Sequence, residues 1–275
     1  MADQQRILIT GAAGGVGTLL RPRLGRAGRT VRLLDVQELE RPPGEGEEFV
    51  KGTINDLDAM TEACQGVAAV VHLAGQSVEA DVDTVVVRNV RGTYALLEAA
   101  RRAGVPRVIL ASSNHAVGFH HRDQAPPGGL PADAPPRPDT LYGWSKVAVE
   151  AAGRLYHDRY GMDVICLRIG SWFDKPPGIR GLVLWLSPDD GARLVEASLA
   201  TPDPGYRIVW GVSRNTRGWL SLAEGEAIGY HPEDDSEAYA AELIAEHGEP
   251  DFDNDPALNR VGGQWCDVPL GVPMS

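Results

Sequence analysis

The sequence predicts an α/β fold in which a doubly wound parallel sheet carries a short C-terminal appendage. Three observations support this class. Short apolar runs typical of buried strands alternate with segments of helical periodicity. Several of these runs are apolar at nearly every position, as expected for strands covered by helices on both faces. A chain of 275 residues with 43% hydrophobic content can also bury one large core.

The first predicted strand, residues 6–10, runs directly into a glycine-rich loop that opens a helix. Gly11, Gly14 and Gly17 give the spacing GxxGxxG, in which the missing side chains permit a tight turn and a close approach of phosphates. A helix that begins here presents free N–H groups to an anion. This order of elements predicts a Rossmann fold with a dinucleotide bound at the loop. The expected contacts are Gly11, Gly14, Gly15, Val16 and Gly17.

The second predicted strand, residues 31–35, ends in Asp35, about one βα unit after the glycine loop. A carboxylate at this point accepts hydrogen bonds from the adenosine ribose hydroxyls and repels a 2′-phosphate. No arginine follows it directly. Asp35 therefore predicts NAD rather than NADP, and the alternative is an aspartate that only caps a turn.

The next segments are a third strand at residues 49–54 and a helix at residues 56–64 that Asp56 caps. A continuous apolar run at residues 67–75 then predicts a central strand. Its last residues, Leu73, Ala74 and Gly75, are small or apolar where a cofactor would cross the strand ends, and Ser77 places a hydroxyl at the rim. His72 in this strand is predicted to be a core histidine with satisfied hydrogen bonds.

A helix is predicted over residues 85–103, with Gly104 as its C-terminal cap. Asn89 on this helix either holds the backbone of a strand or faces solvent. The following strand, residues 107–111, delivers four polar residues, 112–115, to its carboxyl end, where ligands bind in doubly wound sheets. Such a cluster predicts a pocket for a hydroxylated substrate, and the alternative is an ordinary turn at a strand end.

A proline-rich excursion, residues 116–140, precedes a predicted helix over Leu141–Tyr160. This helix carries Tyr142 and Lys146, which four-residue spacing places on one face. An ammonium one turn away would stabilise the phenolate and lower the tyrosine pKa, so the pair predicts proton transfer. An isolated Tyr-x-x-x-Lys can equally be a half-buried tyrosine beside a solvated lysine, and the preceding elements favour the catalytic interpretation.

The rest of the chain predicts a strand at 163–169, a loop at 172–181, a helix at 188–200, a strand at 206–211 and a helix at 237–247. We expect one domain over residues 1–275. Residues 1–170 would form the dinucleotide-binding core, and residues 171–275 would supply a substrate lobe and C-terminal extension. This extension is too short for the lobe with which nucleotide-sugar enzymes hold a nucleotide, which favours a small substrate.

Composition excludes several classes of partner. The 38 acidic and 26 basic residues give a formal charge of -12, which argues against nucleic acid and anionic membranes. The cysteines Cys64, Cys166 and Cys266 are far apart and form no metal-binding motif, so we expect reduced thiols, no metal and a cytoplasmic location. No apolar run approaches the ~20 residues of a membrane-spanning helix.

The chain resembles the extended short-chain dehydrogenase/reductase superfamily over residues 6–212. The resemblance is carried by the GxxGxxG loop, Asp35, the Leu-Ala-Gly triplet 73–75, Ser113 and the Tyr142/Lys146 pair. Within that superfamily, further segments look like the uronate dehydrogenase family: residues 71–79, 112–115, 168–171 with Arg180, and 209–211.

This resemblance implies oxidation of the anomeric carbon of D-glucuronate or D-galacturonate by NAD, giving an aldarolactone. It implies that Tyr142 is the general base, that Lys146 activates it and binds the nicotinamide ribose, and that Ser113 bonds the reacting hydroxyl. The implied sugar-binding residues are Ser77, Ser113, Asn114, His115, Tyr142, Ser171 and Arg180. The implied cofactor contacts beyond the glycine loop and Asp35 are Thr53, Ile54, Leu73, Ala74, Gly75, Asn89, Tyr142 and Lys146.

The chain departs from the superfamily at the adenine site, where Thr53 stands in place of the usual aspartate. Two other functions stay open: a dehydrogenase or epimerase for another sugar, and a non-catalytic NAD-sensing regulator, since fold alone does not fix function. A regulator has no chemical need for Ser113, Tyr142 and Lys146. We expect a homo-oligomer, although the sequence does not set the number of subunits.

Overall fold

The computed structural model describes residues 5–274, which form one seven-stranded parallel sheet covered by helices on both faces. The strand order is β3-β2-β1-β4-β5-β6-β9. These strands are β1 (Gln5–Thr10), β2 (Arg29–Asp35), β3 (Glu47–Lys51), β4 (Ala69–His72), β5 (Arg107–Ser113), β6 (Asp163–Ile169) and β9 (Tyr206–Gly211). A separate two-stranded sheet pairs β7 (Ser171–Trp172) with β8 (Trp185–Leu186). The predicted fold class is confirmed.

The described chain contains ten α-helices. They are α1 (Gly15–Leu20), α2 (Leu57–Ala63), α3 (Val82–Val85), α4 (Gly92–Arg102), α5 (Leu141–Tyr160), α6 (Gly181–Leu184), α7 (Pro188–Ala200), α8 (Ala223–Glu226), α9 (Ala240–His247) and α10 (Pro256–Asn259). Within residues 5–274, no helix has both the length and the apolar character that crossing a membrane requires.

Alternate residues of each central strand enter opposite cores, because successive strand side chains point to opposite faces. On β1, Ile7 and Ile9 pack in the core that α1 and α7 cover, whereas Leu8 packs in the core that α2, α4 and α5 cover. All three side chains are 0% exposed. The apolar character of the strands is thus explained by burial on both faces.

The strand order reverses between β1 and β4, which are neighbours although β2 and β3 lie between them in sequence. Connections that leave these two strands go to opposite sides, and a crevice opens between them at the carboxyl edge. The glycine loop after β1, residues 73–77 after β4 and the polar residues that end β5 all meet at this edge. The fold therefore positions the predicted site residues around one crevice.

Several element boundaries match the sequence-based expectation, namely α5, β6, α7 and β9. Two predicted strands were too long: β3 ends at Lys51, so Thr53 and Ile54 lie in the turn after it, and β4 ends at His72. The predicted helix at 85–103 begins at Val82 and contains a π-helical segment, Val86–Arg91, which the sequence did not indicate.

The chain beyond residue 170 is not confined to an appendage. β9 is the edge strand of the central sheet, and α7 covers one of its faces. Trp172 and Leu186 of the small sheet and Tyr230 after α8 also pack into the core that α7 covers. Leu182 of α6 forms a separate cluster with Ala240 and Leu243 of α9. The division at residue 170 remains a prediction.

Candidate active site

A cleft of about 1500 Å³ runs along the carboxyl edge of the sheet. It brings together every predicted site residue except Asn89. The predicted residues that line it are Gly11, Gly14, Gly15, Val16, Gly17, Asp35, Thr53, Ile54, Leu73, Ala74, Gly75, Ser77, Ser113, Asn114, His115, Tyr142, Lys146, Ser171 and Arg180. The two groups inferred separately from sequence, for a cofactor and for a sugar, therefore share one cavity.

The glycine loop has the close contacts that its spacing predicts. Gly11 has φ +74°, and a Cβ there would lie 2.6 Å from the backbone nitrogen of Ala74. A Cβ at Gly17 would collide with the carbonyl oxygen of Gly11. A Cβ at Gly15 would meet no atom within 4 Å, because this position faces the open cleft. The loop thus leaves room for a ligand against its backbone, as a pyrophosphate requires.

Asp35 is half-buried at the end of β2, where two backbone groups fix its carboxylate. Its Oδ2 accepts from the Ala13 N–H at 2.9 Å, and its Oδ1 accepts from the Gln37 N–H at 3.0 Å. The remaining lone pairs are available to ribose hydroxyls. Beside it, Ile54 is buried and Thr53 is exposed at the cleft wall. These residues fit the adenosine half of a dinucleotide.

Asn89 does not line the cleft, and the prediction of a direct cofactor contact is corrected accordingly. Its side chain is 1% exposed and all its amide groups have protein partners. The Oδ1 accepts from the Gln76 N–H at 2.7 Å, and Nδ2 donates to Gln76 O at 3.0 Å and Ser145 Oγ at 2.8 Å. A Cβ at Gly75 would lie 2.5 Å from this Oδ1. The π-helical turn thus directs Asn89 inward, where it holds the turn at the end of β4.

His72 is a core histidine, as predicted. Its Nδ1 is 2.7 Å from Thr10 Oγ1 and its Nε2 is 3.1 Å from Thr93 Oγ1, so both ring nitrogens are satisfied. Burial lowers its pKa to about 3, and the nearby positive charge of Lys146 acts in the same direction. The ring is therefore neutral across the physiological range.

Tyr142 and Lys146 lie one turn apart at the start of α5, and each is 7% exposed. Lys146 Nζ donates to Ala111 O at 2.8 Å and lies 5.6 Å from the centre of the Tyr142 ring. Ser113, at the end of β5, lies close enough to Tyr142 to favour its phenolate, while its own hydroxyl donates to Asn114 Oδ1 at 3.3 Å. The structure therefore places all three predicted catalytic groups side by side.

The expected lowering of the Tyr142 pKa is wrong. Burial raises this pKa to about 12, more than the nearby Ser113 hydroxyl lowers it, and Asp139 adds to the increase. Burial also lowers the pKa of Lys146 to about 8, although Glu150 opposes that shift. Removing either group from water disfavours its charged form, and the sequence spacing alone does not reveal the burial.

A buried ion pair holds this part of α5 against the sheet. Arg168 on β6 donates to both oxygens of Glu150, each at 2.9 Å, and the two side chains are 1% and 5% exposed. Arg168 also donates to Ala132 O and Ala134 O, and Ser112 Oγ donates to Glu150 at 2.6 Å. One network thus links α5, two strands and the excursion before α5, one turn beyond Lys146.

The predicted sugar-binding residues are supported by partners that the sequence did not indicate. His115 Nδ1 lies 2.7 Å from Asp139 Oδ2, which favours a proton on Nδ1 and leaves Nε2 as an acceptor in the neutral ring. Trp265 stacks on His115 with ring centres 4.1 Å apart. Burial lowers the pKa of His115, whereas Asp139 raises it. No sequence motif marks Asp139 or Trp265.

Arg180 lies in the cleft wall. Within residues 5–274 its guanidinium makes no ion pair. It donates from Nη2 to Val261 O, which also accepts from Asn114 Nδ2 at 3.0 Å. Burial lowers the pKa of Arg180 to about 10, and the more distant Asp139 acts in the opposite direction. The group remains a cation at neutral pH and can attract an anion.

A family model defines the class of protein. Residues 7–177 match the NAD dependent epimerase/dehydratase family, and the chain belongs to that family.

Within it, the chain is 40% identical to a uronate dehydrogenase of Pseudomonas syringae pv. tomato, over 94% of this chain and 92% of that protein. A solved structure of a mutant uronate dehydrogenase from Agrobacterium tumefaciens, complexed with NAD, superposes with a TM-score of 0.89. It is 37% identical and covers 96% of this chain and 98% of the other. Similarity extends to other sugar enzymes: an NAD-dependent glucose-6-phosphate dehydrogenase of Haloferax volcanii is 37% identical over 90% of this chain and 98% of that protein.

Proposed function

We propose that this protein is a uronate dehydrogenase that uses NAD to oxidise the anomeric carbon of D-glucuronate or D-galacturonate. The observation that carries the proposal is an arginine, Arg180, that forms no ion pair among the described residues and shares the cleft with Ser113, Tyr142 and Lys146. A cation without an acidic partner suits a carboxylate, and a guanidinium can hold one through two parallel hydrogen bonds. The nearly full-length similarity to uronate dehydrogenases supports the same assignment.

The glycine loop, Asp35 and the turn after β4 would hold NAD, which would supply the acceptor for the hydride from C1. The residues of the chain then handle the proton. Ser113 donates a hydrogen bond to O1, and Tyr142 removes the O1 proton as the C1–O1 double bond forms. Lys146 stabilises the tyrosinate and orients the cofactor ribose. The pyranose leaves as an aldaro-lactone, because its ring oxygen stays bonded to C1.

The remaining polar residues of the cleft bind the sugar hydroxyls. Ser77 and Ser171 supply hydroxyl groups at the rim. His115, held by Asp139, presents Nε2 as an acceptor, and Asn114 shares the Val261 carbonyl with Arg180. Because both side chains donate to the Val261 carbonyl, the position of the Asn114 amide is coupled to that of the Arg180 guanidinium.

Another sugar substrate is the alternative, which the similarity to a glucose-6-phosphate dehydrogenase motivates. A sugar phosphate also carries an anion that Arg180 could bind. Purified protein with NAD and each uronate should form NADH and a lactone identified by NMR. NADH formation with glucose 6-phosphate and none with uronates would instead support the alternative. A homo-oligomeric state and a cytoplasmic location complete the proposal.

Asp35 is expected to make NAD the preferred cofactor. A 2′-phosphate would meet a carboxylate that backbone donors already fix in place, and like-charge contacts of this kind cost several kcal/mol, so kcat/KM for NADP should be at least ~100-fold lower. Asp35→Asn should reduce the difference in kcat/KM between NAD and NADP. Steady-state kinetics with both cofactors measure it, and equal kcat/KM values for NAD and NADP in the unmodified protein would contradict the assignment.

A further inference from the structure

A buried glutamate, Glu79, accepts hydrogen bonds at the start of the helix that carries the catalytic pair. Its side chain is 0% exposed and, in the described part of the chain, forms no ion pair. Its Oε2 accepts from the Tyr142 N–H at 2.8 Å and its Oε1 accepts from the Leu141 N–H at 3.2 Å. A buried carboxylate without a cation requires such donors, and the positive end of a 20-residue helix stabilises it.

The first turn of α5 is thereby fixed by side chains rather than by water. Thr140 Oγ1 accepts from the Gly143 N–H at 2.9 Å, and the Trp144 N–H donates to Thr140 O at 2.8 Å. Together with the Glu79 bonds, these satisfy the backbone donors of residues 141–144. Helix starts usually leave such donors to solvent or to a single cap. Tyr142 lies inside this fully bonded turn, and Lys146 follows one turn later.

Glu79 also joins two other parts of the site. It lies two residues after Ser77, at the end of the segment that lines the cleft beyond β4. In addition, its Oε1 accepts from the Gly271 N–H at 2.8 Å, and its backbone oxygen accepts from the Met274 N–H at 3.0 Å. The C-terminal tail that carries Trp265 is therefore fastened to the same carboxylate.

We propose that Glu79 is a positioning residue for the reaction, which holds Tyr142 in place through its backbone and secures the C-terminal tail against the helix. This inference rests on the proposed function only in its kinetic test, which measures uronate oxidation. Oxidation requires the tyrosine oxygen to meet O1 within hydrogen-bond distance, and displacements of about 1 Å can cost ~10²-fold in rate. A carboxylate serves here because both oxygens face N–H donors, three in all, and an amide would turn a donor of its own towards at least one of them.

The test is the pre-steady-state burst of NADH formation by Glu79→Gln at saturating NAD and glucuronate. The observed rate constant is independent of the fraction of active protein, whereas the amplitude reports that fraction. We expect the rate constant to fall about 10- to 100-fold, with NAD affinity unchanged. A purely structural role would lower the amplitude or the melting temperature and leave the rate constant at the wild-type value, which would overturn the proposal.

Asp190→Asn is the matched control. Asp190 is also a 0% exposed carboxylate that accepts from two backbone N–H groups, those of Glu233 at 2.8 Å and Asp234 at 3.0 Å, and it differs from Glu79 in also pairing with Arg193 at 2.6 Å. It does not line the cleft. This variant should lose stability and keep the wild-type rate constant. An equal fall in both variants would mean that any buried carboxylate has the same effect, and would contradict a specific role for Glu79.

A second variant keeps the test decisive if Glu79→Gln does not fold. Gly271 has φ +74°, so Gly271→Ala strains the backbone that presents its N–H to Glu79, and Gly248→Ala, at φ +87°, is the control away from this contact. Gly271→Ala should lower the rate constant by roughly threefold or more. A wild-type rate constant in Gly271→Ala would contradict the proposed role of the C-terminal tail in positioning Glu79.

Hydrogen exchange gives a readout that needs no substrate. The amides of Leu141 and Tyr142 should exchange faster in Glu79→Gln than in the wild type, and unchanged protection would contradict the proposal. If the wild-type protein oxidised no uronate, the proposed function would fail while this measurement still decided the role of Glu79.

Discussion

We expect Tyr142→Phe to lower kcat for uronate oxidation by about 10²-fold or more. The change keeps the ring, which lies 5.8 Å from His115 and 6.1 Å from Trp265 between ring centres, and removes only the phenolic hydroxyl near Ser113. Packing should therefore survive while the proton acceptor is lost. NAD binding, measured by titration calorimetry, should stay close to that of the wild type.

Tyr156→Phe is the control on the same helix. Tyr156 is also buried, and its hydroxyl donates to Glu98 at 3.2 Å outside the cleft. This variant should keep the wild-type kcat. If Tyr142→Phe turned over at the wild-type rate, another group would have to be the base.

The pH dependence of kcat/KM provides a second readout of the same base. Because burial raises the Tyr142 pKa to about 12, the hydroxyl of the free enzyme is protonated at neutral pH. A base must be deprotonated to act, so wild-type activity should increase as the pH rises from neutral into the alkaline range. The residual activity of Tyr142→Phe should lack this increase.

Arg180→Ala should lower kcat/KM for glucuronate and galacturonate by roughly 30- to several-thousand-fold, the equivalent of losing ~2–5 kcal/mol from a desolvated charged pair. Arg180→Lys should recover part of this loss, because a lysine restores the charge without the fork of donors. Activity on neutral glucose or galactose, which we expect to be weak in the wild type, should barely change. Steady-state kinetics on the four sugars measure the effect.

The neutral sugars also control for damage to the tail, since Arg180 donates to the Val261 carbonyl. A displaced tail would lower activity on all four sugars alike. Arg214→Ala, which removes an exposed arginine paired with Glu226 at the surface, should leave every activity unchanged. Full uronate activity in Arg180→Ala would show that another group binds the carboxylate.

The elements of the fold that sequence predicted best are those with local signals at both ends. Thr140 caps α5 through its side chain, and Gly161 ends it at φ +68°, a conformation that glycine readily adopts. Hydrophobic runs located the central strands because burial on both faces demands them. The π-helical segment around Asn89 has no comparable signal, so its inward orientation was not predicted.

The features of the site that sequence could not predict depend on residues far apart in the chain. His115 and Asp139 are 24 residues apart, and Glu79 and Gly271 are 192 apart. Their contacts exist only once the excursion before α5 and the C-terminal tail have folded over the cleft. The raised pKa of Tyr142 has the same origin, because burial rather than spacing sets it. The roles of the individual cleft residues remain predictions that the variants above test.

The central claim is that the cleft selects a sugar by its carboxylate. Its most direct test is the ratio of kcat/KM, for the wild-type protein with NAD, between each uronate and its neutral parent sugar. A contact of the strength assigned to Arg180 predicts that kcat/KM for glucuronate exceeds that for glucose by roughly 30-fold or more, and that galacturonate and galactose differ in the same way. Ratios near one for both pairs would contradict the claim and would indicate a sugar dehydrogenase that does not recognise the carboxylate.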